Sequence, residues 1–168
     1  MAIRPIVSFP DARLKVVAAP VTAFDAELAR LAGDLLDTMR AAPGIGITAP
    51  HVGVLLRVSV LELTRGEPPR TYVNPAIVWA SDERMRHAEG SVSMPGATEE
   101  VERHARVRVR YQDLAGGFFE EEAEGLLAVC HQHEIDQLDG VFWLQRLSKL
   151  KRDRVIRRYE KARRAAGV

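Results

Sequence analysis

The spacing of apolar residues changes period along the chain, and each change marks an element. Leu28, Leu31, Leu35, Leu36 and Met39 recur at helical intervals. Asp25 stands ahead of them as an N-cap, and Pro43 and Gly44 end the run, so one amphipathic helix is predicted. Pro5, Pro10 and Pro20 forbid a continuous helix through the first twenty residues, which are expected to lie extended along the domain. Further on, LLRVSVLEL and TYVNPAIVWA are rich in aliphatic residues and bounded by turn-forming residues, so both read as strands, the second bent at Pro75. In HARVRVRYQD the period falls to two: Val107, Val109 and Tyr111 share one face while Arg106, Arg108 and Arg110 share the other, as in a strand wet on one side. Gly116 and Gly117 supply a turn into FFEEEAE. Helical spacing then returns twice, from about Leu126 to Leu138 and, in a strongly basic segment, from about Ser148 to Ala166. This order of elements reads as α+β.

Composition narrows the function classes. With 168 residues, 46% of them apolar, the chain suits a single domain spanning residues 1–168 with a sizeable core. A formal net charge of +1 gives no chain-wide field of the kind that marks a nucleic-acid or membrane surface, although the C-terminal segment concentrates cations locally. The lone cysteine, Cys130, excludes an intramolecular disulfide framework and a metal site of several thiolates. No apolar run reaches the ~18 residues that cross a bilayer, and the first residues lack the apolar core of a secretion signal. A cytoplasmic protein without membrane contact is expected.

Chemistry concentrates on the second helix. Leu126, Val129, Cys130, His133 and Gln137 follow the i, i+3, i+4, i+7, i+11 rule, so the apolar stripe runs into two polar side chains that face inward. Residues four apart differ by only ~40° around a helix axis, so His133 and Gln137 could reach one point in space. In HExxH that point is a metal ion, with the glutamate beside it as general base. Here the pattern is His133, Glu134, Ile135, Asp136, Gln137. By itself it fits a buried histidine satisfied by hydrogen bonds better than it fits a ligand. Cys130, one turn before His133, reads as a second ligand or as a buried apolar residue, the second being the more common. His131 points about 160° away from His133 on an ideal helix, and His87 and His104 sit in polar stretches; all three are expected at the surface.

Three segments carry more than any one motif does: GIGITAPH at 44–51, EGSVS at 89–93 and QHEIDQLDG at 132–140. In order and spacing they resemble the signature motifs of peptide deformylases, usually GIGLAAxQ, EGCLS and QHExDHLxG. NPAI at 74–77, VERHARVRV at 101–109 and GLLAVC before the helix extend the resemblance over nearly the whole chain. It implies mainly antiparallel sheets around a central HExxH-type helix, with a C-terminal helix. It also implies metal-assisted hydrolysis of the formyl group from the N-terminal formyl-methionine of nascent peptides. In the family, the cysteine of the second motif and both histidines of the third bind a divalent metal, the glutamate moves the proton, and a backbone N–H and the glutamine of the first motif hold the developing oxyanion.

Carried over position by position, Glu134 matches the catalytic glutamate, His133 a retained ligand, Val92 the oxyanion N–H, and Ile45, Gly46 and Gly90 backbone contacts to peptide. Glu89 and Arg103 match a pair that braces the site; a plain surface ion pair is the alternative. Three positions depart from the pattern. Ser91 replaces the metal-binding cysteine, Gln137 the second histidine and His51 the oxyanion glutamine. A serine hydroxyl and an amide oxygen are weak substitutes for thiolate and imidazole, so any bound iron, zinc or nickel is expected to be held loosely, or no metal at all. His51 reads either as a replacement ligand beside His133 or as a group that hydrogen-bonds Ser91, Gln137 or water. Weak deformylation and a non-catalytic peptide- or ribosome-binding homologue are both left open. A third reading, Ser91 as a nucleophile with His51 or His133 as base, requires a hydrogen-bonded pair. The basic C-terminal helix is the footprint expected of phosphate contacts, such as those a ribosome offers.

Overall fold

In the computed structural model, which describes residues 2–168, the predicted helices are present: α1 at Ala26–Ala41, α2 at Gly125–Leu138 and α3 at Lys149–Ala165. Asp25 caps α1 by accepting from the Leu28 N–H at 3.0 Å, and Ser148 does the same for α3 at Lys151. Such caps satisfy amide groups that the first helical turn leaves unpaired. Seven strands accompany the helices: β1 (Gly46–Thr48), β2 (Val58–Leu61), β3 (Arg70–Ala80), β4 (Arg84–Ser91), β5 (Met94–His104), β6 (Arg106–Gln112) and β7 (Phe118–Glu124). Every pairing among these strands is antiparallel, and one isolated parallel bridge joins Ala19 to Leu56. Five strands form one sheet in the order β1-β2-β3-β6-β7, while β4 and β5 form a separate two-stranded hairpin.

Details follow local chemistry. The bend expected at Pro75 is a β-bulge: β3 slips register on β6 between Val73 and Ala76, and Asn74 adopts φ +49°. The Asn74 side-chain amide joins Val21 on the N-terminal segment to Gln112 on β6. The alternation read in β6 holds, with Val107 and Val109 buried and Arg106 and Arg110 exposed. The N-terminal segment lies extended along the body as expected. Val7 donates to the His51 carbonyl, Phe9 to that of Ser93 and Ala18 to that of Leu138.

Helix α2 begins without a linker at the end of β7, the chain turning on Gly125 at φ +59°. It packs against strands of both sheets. Its apolar residues Ala128 and Ile135 meet Val107, Val109 and Ala123, while α1 closes over β1 and β2 through Leu31, Leu35, Met39, Ile47 and Val60. A further cluster of Leu14, Met94, Val101, Phe142, Trp143, Val155 and Tyr159 fastens α3 and the hairpin together. Because α2 is covered on nearly every side, His131 is buried rather than at the surface, a correction to the single-face reading of this helix. It reaches Glu121 at 2.7 Å, which also accepts from the Tyr72 hydroxyl. His87 and His104 are partly buried, and His104 meets the Ser81 carbonyl at 2.7 Å. Among the described residues, no helix is long and apolar enough to cross a membrane.

Candidate active site

A cavity of about 370 Å³ opens between β1 and the turn before it, the end of the hairpin and helix α2. Ile45, Gly46, His51, Glu89, Gly90, Ser91, Val92, His133 and Glu134 all line it, so eight of the nine residues singled out by sequence, Glu89 being additional to them, meet at one place. The ninth, Gln137, is not part of the lining. Two glycines are required by close approach. A β-carbon on Gly46 would come within 2.6 Å of the Glu134 carboxyl, and one on Gly90 within 2.8 Å of the Ala97 carbonyl.

Beneath the cavity lies a closed set of charges. Arg103 donates two hydrogen bonds to Glu89, both at 2.8 Å, and a third to Asp136 at 2.6 Å. Asp136 also accepts two from Arg146, at 2.8 and 2.7 Å. The Glu89–Arg103 pair is therefore not a surface ion pair: the residues are 7% and 3% exposed. Burial alone would raise the Glu89 carboxyl, but the hydrogen bonds from Arg103 and His133 outweigh it and bring it to about 2. His133 Nδ1 lies 2.8 Å from Glu89, which must act as acceptor, so this nitrogen carries the proton and the Nε2 edge is left for the cavity. Burial lowers the His133 imidazole, but the Glu89 hydrogen bond and the Glu134 charge reverse this and leave it raised.

The altered positions are each bound to neighbouring backbone. Gln137 donates its amide to the Leu14 carbonyl at 2.7 Å. Ser91 Oγ accepts from the Ser93 N–H at 3.1 Å. His51 Nδ1 accepts from the Thr48 N–H at 2.9 Å, with the Thr48 hydroxyl equally near, while its Nε2 is buried and has no partner. His51 therefore bonds neither Ser91 nor Gln137, the protein partners expected of it, and Ser91 has no histidine partner to deprotonate it. Burial, followed by the nearby His133 charge, pulls the His51 imidazole down to about 3. Burial also dominates at Glu134, raised to about 7 with one oxygen unpartnered, and at Cys130, raised to about 12. A thiol so resistant to ionisation acts as pocket wall. Thr48 and the Leu14 carbonyl were invisible as site residues in the sequence. Thr48 precedes His51 by one short turn and could have been suspected; nothing near Leu14 signals contact with position 137.

Comparison with known proteins agrees with this geometry. Residues 3–153 match the family model for polypeptide deformylase. A peptide deformylase-like protein of Brucella melitensis is 66% identical over 98% of this chain and all of its own length. A peptide deformylase of Phenylobacterium zucineum is 50% identical, covering 99% of this chain and 100% of that one. The crystal structure of a peptide deformylase from Legionella pneumophila superposes with a TM-score of 0.93 at 41% identity, over 99% of this chain and 98% of that one. This chain belongs to the polypeptide deformylase family.

The metal that this deformylase family uses fits the residues here poorly. Among the described residues, no three His, Cys, Asp or Glu side chains are grouped so as to hold an ion. Of the three positions that the resemblance matches to family ligands, only His133 presents a strong donor; the Ser91 hydroxyl has no anionic form at neutral pH, and Gln137, whose N–H donates to Leu14, has only a weakly binding amide oxygen.

Proposed function

We infer that this chain uses the deformylase cavity to hold the N-terminal end of nascent, formylated peptides, and that its hydrolysis falls far below that of relatives with an intact ligand set. One observation carries the reading: Gln137, which replaces a ligand, donates to the Leu14 carbonyl instead of lining the cavity. The peptide-facing parts are kept, since Gly46 and Gly90 still allow close backbone approach, and Glu134 stands buried at the wall with a carboxyl held near neutrality. A short peptide end matches the cavity's volume, and Ile45 and Gly90 on its lining are exposed. Calorimetry with formyl-Met-Ala-Ser, run beside turnover and metal analysis of the purified chain, tests it. Binding without appreciable conversion is expected; full-rate conversion with one tightly bound metal per chain would sink the reading.

Exposed cations on α3 favour a second contact. Arg154, Arg157, Lys161 and Arg164 project from the helix without acidic partners among the described residues, while Val155 and Tyr159 anchor its other face. Phosphate-rich RNA at the ribosome surface, reached in the cytoplasm where nascent chains emerge, suits such a stripe. Co-sedimentation with ribosomes that fails to weaken with salt, or is unchanged when these four residues become glutamine, would count against it.

A further inference from the structure

His51 has a proton inventory that the backbone decides. An amide N–H can only donate, so His51 Nδ1, which accepts from Thr48 at 2.9 Å, carries no proton. A protonated imidazolium would carry one there, and so would the opposite neutral tautomer; each would set N–H against N–H. The ring is therefore neutral with its single proton on Nε2. That nitrogen is buried, 1% of the residue being exposed, and it finds no partner in the protein although the ring lines the cavity. Buried N–H groups without a partner are rare and unfavourable, and here the cavity side is where an acceptor can be supplied by a ligand.

A nitrogen that bears a proton has no in-plane lone pair to give a cation, and the positive end of its N–H dipole faces whatever lies ahead of it. We propose that His51 is fixed as its Nε2–H tautomer, which rules it out as a replacement metal ligand and makes it a hydrogen-bond donor site for a ligand oxygen of carbonyl or carboxylate type. The Thr48 backbone is the device that fixes it: releasing Nε2 to bind a metal would require abandoning the Thr48 bond and burying that amide unsatisfied. The ligand half of this inference rests on the peptide reading above, and the tautomer half does not. An acyl oxygen at a peptide end satisfies the donor; a free ammonium end, being itself only a donor, does not.

Long-range proton–nitrogen NMR on the full chain labelled with ¹⁵N-histidine tests both halves. In the free protein His51 is expected to show a protonated Nε2 and a bare Nδ1, unchanged on adding zinc or nickel. A proton on Nδ1, or loss of the Nε2 proton when metal is added, overturns the proposal. Formyl-Met-Ala-Ser is expected to shift the Nε2–H resonance while the unformylated peptide leaves it in place; a shift produced equally by formate alone assigns the oxygen to a bare carboxylate. No shift with any of these overturns the donor role. His51→Gln, which keeps an N–H donor, is expected to hold formyl-peptide affinity within about threefold, whereas His51→Phe lowers it about tenfold, the worth of one ordinary hydrogen bond. Equal affinity in both variants overturns the assignment of the donor while leaving peptide binding intact. A peptide that binds no variant, with the tautomer as stated, refutes the peptide reading alone.

Discussion

The floor of the cavity and its centre are built from the same helix and hairpin, yet they have different designs. In the floor, each charged group on Glu89, Arg103, Asp136 and Arg146 has a partner of opposite sign, and Arg103 alone makes three charged hydrogen bonds. In the centre, His51 Nε2 and one Glu134 oxygen are buried without partners. The floor is the part whose geometry supports the fold, since losing Glu89 or Arg103 takes the opposite charge from a buried partner. The centre is where unsatisfied groups are tolerated, and such groups are what a ligand can engage. Positions 51 and 91, which the resemblance marks as departures, lie in this centre, and the support beneath it is fully paired.

The largest effect should come from breaking the floor. Arg103→Met removes the cation shared by Glu89 and Asp136, leaving Glu89 with His133 alone. Removing one partner of a buried pair typically costs 3–5 kcal/mol, so a loss of about 3 kcal/mol or more is expected by urea denaturation. A loss under about 1 kcal/mol would show the floor to be no stronger than a surface pair.

How far sequence could see this contrast depends on how each part encodes itself. Periodicity exposed α1, α2, α3 and β6 because one face of each is apolar and the other polar, or nearly so. The hairpin left no such trace: β4 reads RMRHAEGS, with no β-branched run, and its strand form is enforced by pairing with β5 and by the charges under Glu89. His131 was misjudged because one helical stripe was taken as the only buried face, whereas β3 and β7 cover the opposite side with Tyr72 and Glu121. At the site, residue identities located the cavity, but the Gln137 bond to Leu14 spans 123 positions and follows from the route of the N-terminal segment.

Rebuilding the centre is the next test. Ser91→Cys with Gln137→His restores the thiolate and imidazole of the family, and each ligand should be worth at least the 10- to 100-fold that a supporting contact provides. A rise of about 100-fold or more in metal affinity is expected, together with measurable formyl-Met hydrolysis. Adding His51→Gln, which completes the family pattern at all three departing positions, should raise hydrolysis further. If metal content stays at the parental level in the triple variant, the centre has diverged beyond its ligands.

Glu134 sharpens the same contrast through pH. Its carboxyl titrates near 7 in the folded chain against 4.5 in the ordinary state, because burial favours the neutral form. Between those values the folded protein holds a proton that the unfolded chain has released, so this group's contribution to stability falls as pH rises from about 4.5 to 7 and is level on either side. Glu134→Gln should therefore gain on the parent by about 1–3 kcal/mol between pH 4 and pH 8. A difference between the two proteins that does not vary with pH would remove Glu134 from the set of strained groups.

The smallest effect belongs to charges that look like the floor on paper. Arg108 and Arg110 on β6 pair with Glu122 and Glu120 on β7 at 2.9 and 3.1 Å, distances close to those under the cavity. The difference is solvent: the Arg110 and Glu120 side chains are 58% and 45% exposed, against 4% for both partners of the Arg103–Glu89 pair. Water screens the exposed pair and solvates either member if the other is removed, so nothing is stranded. Arg110→Ala is accordingly expected to change stability by less than about 1 kcal/mol, and less again in 1 M salt. A cost near that of Arg103→Met would mean that pairing, not burial, sets the worth of these contacts.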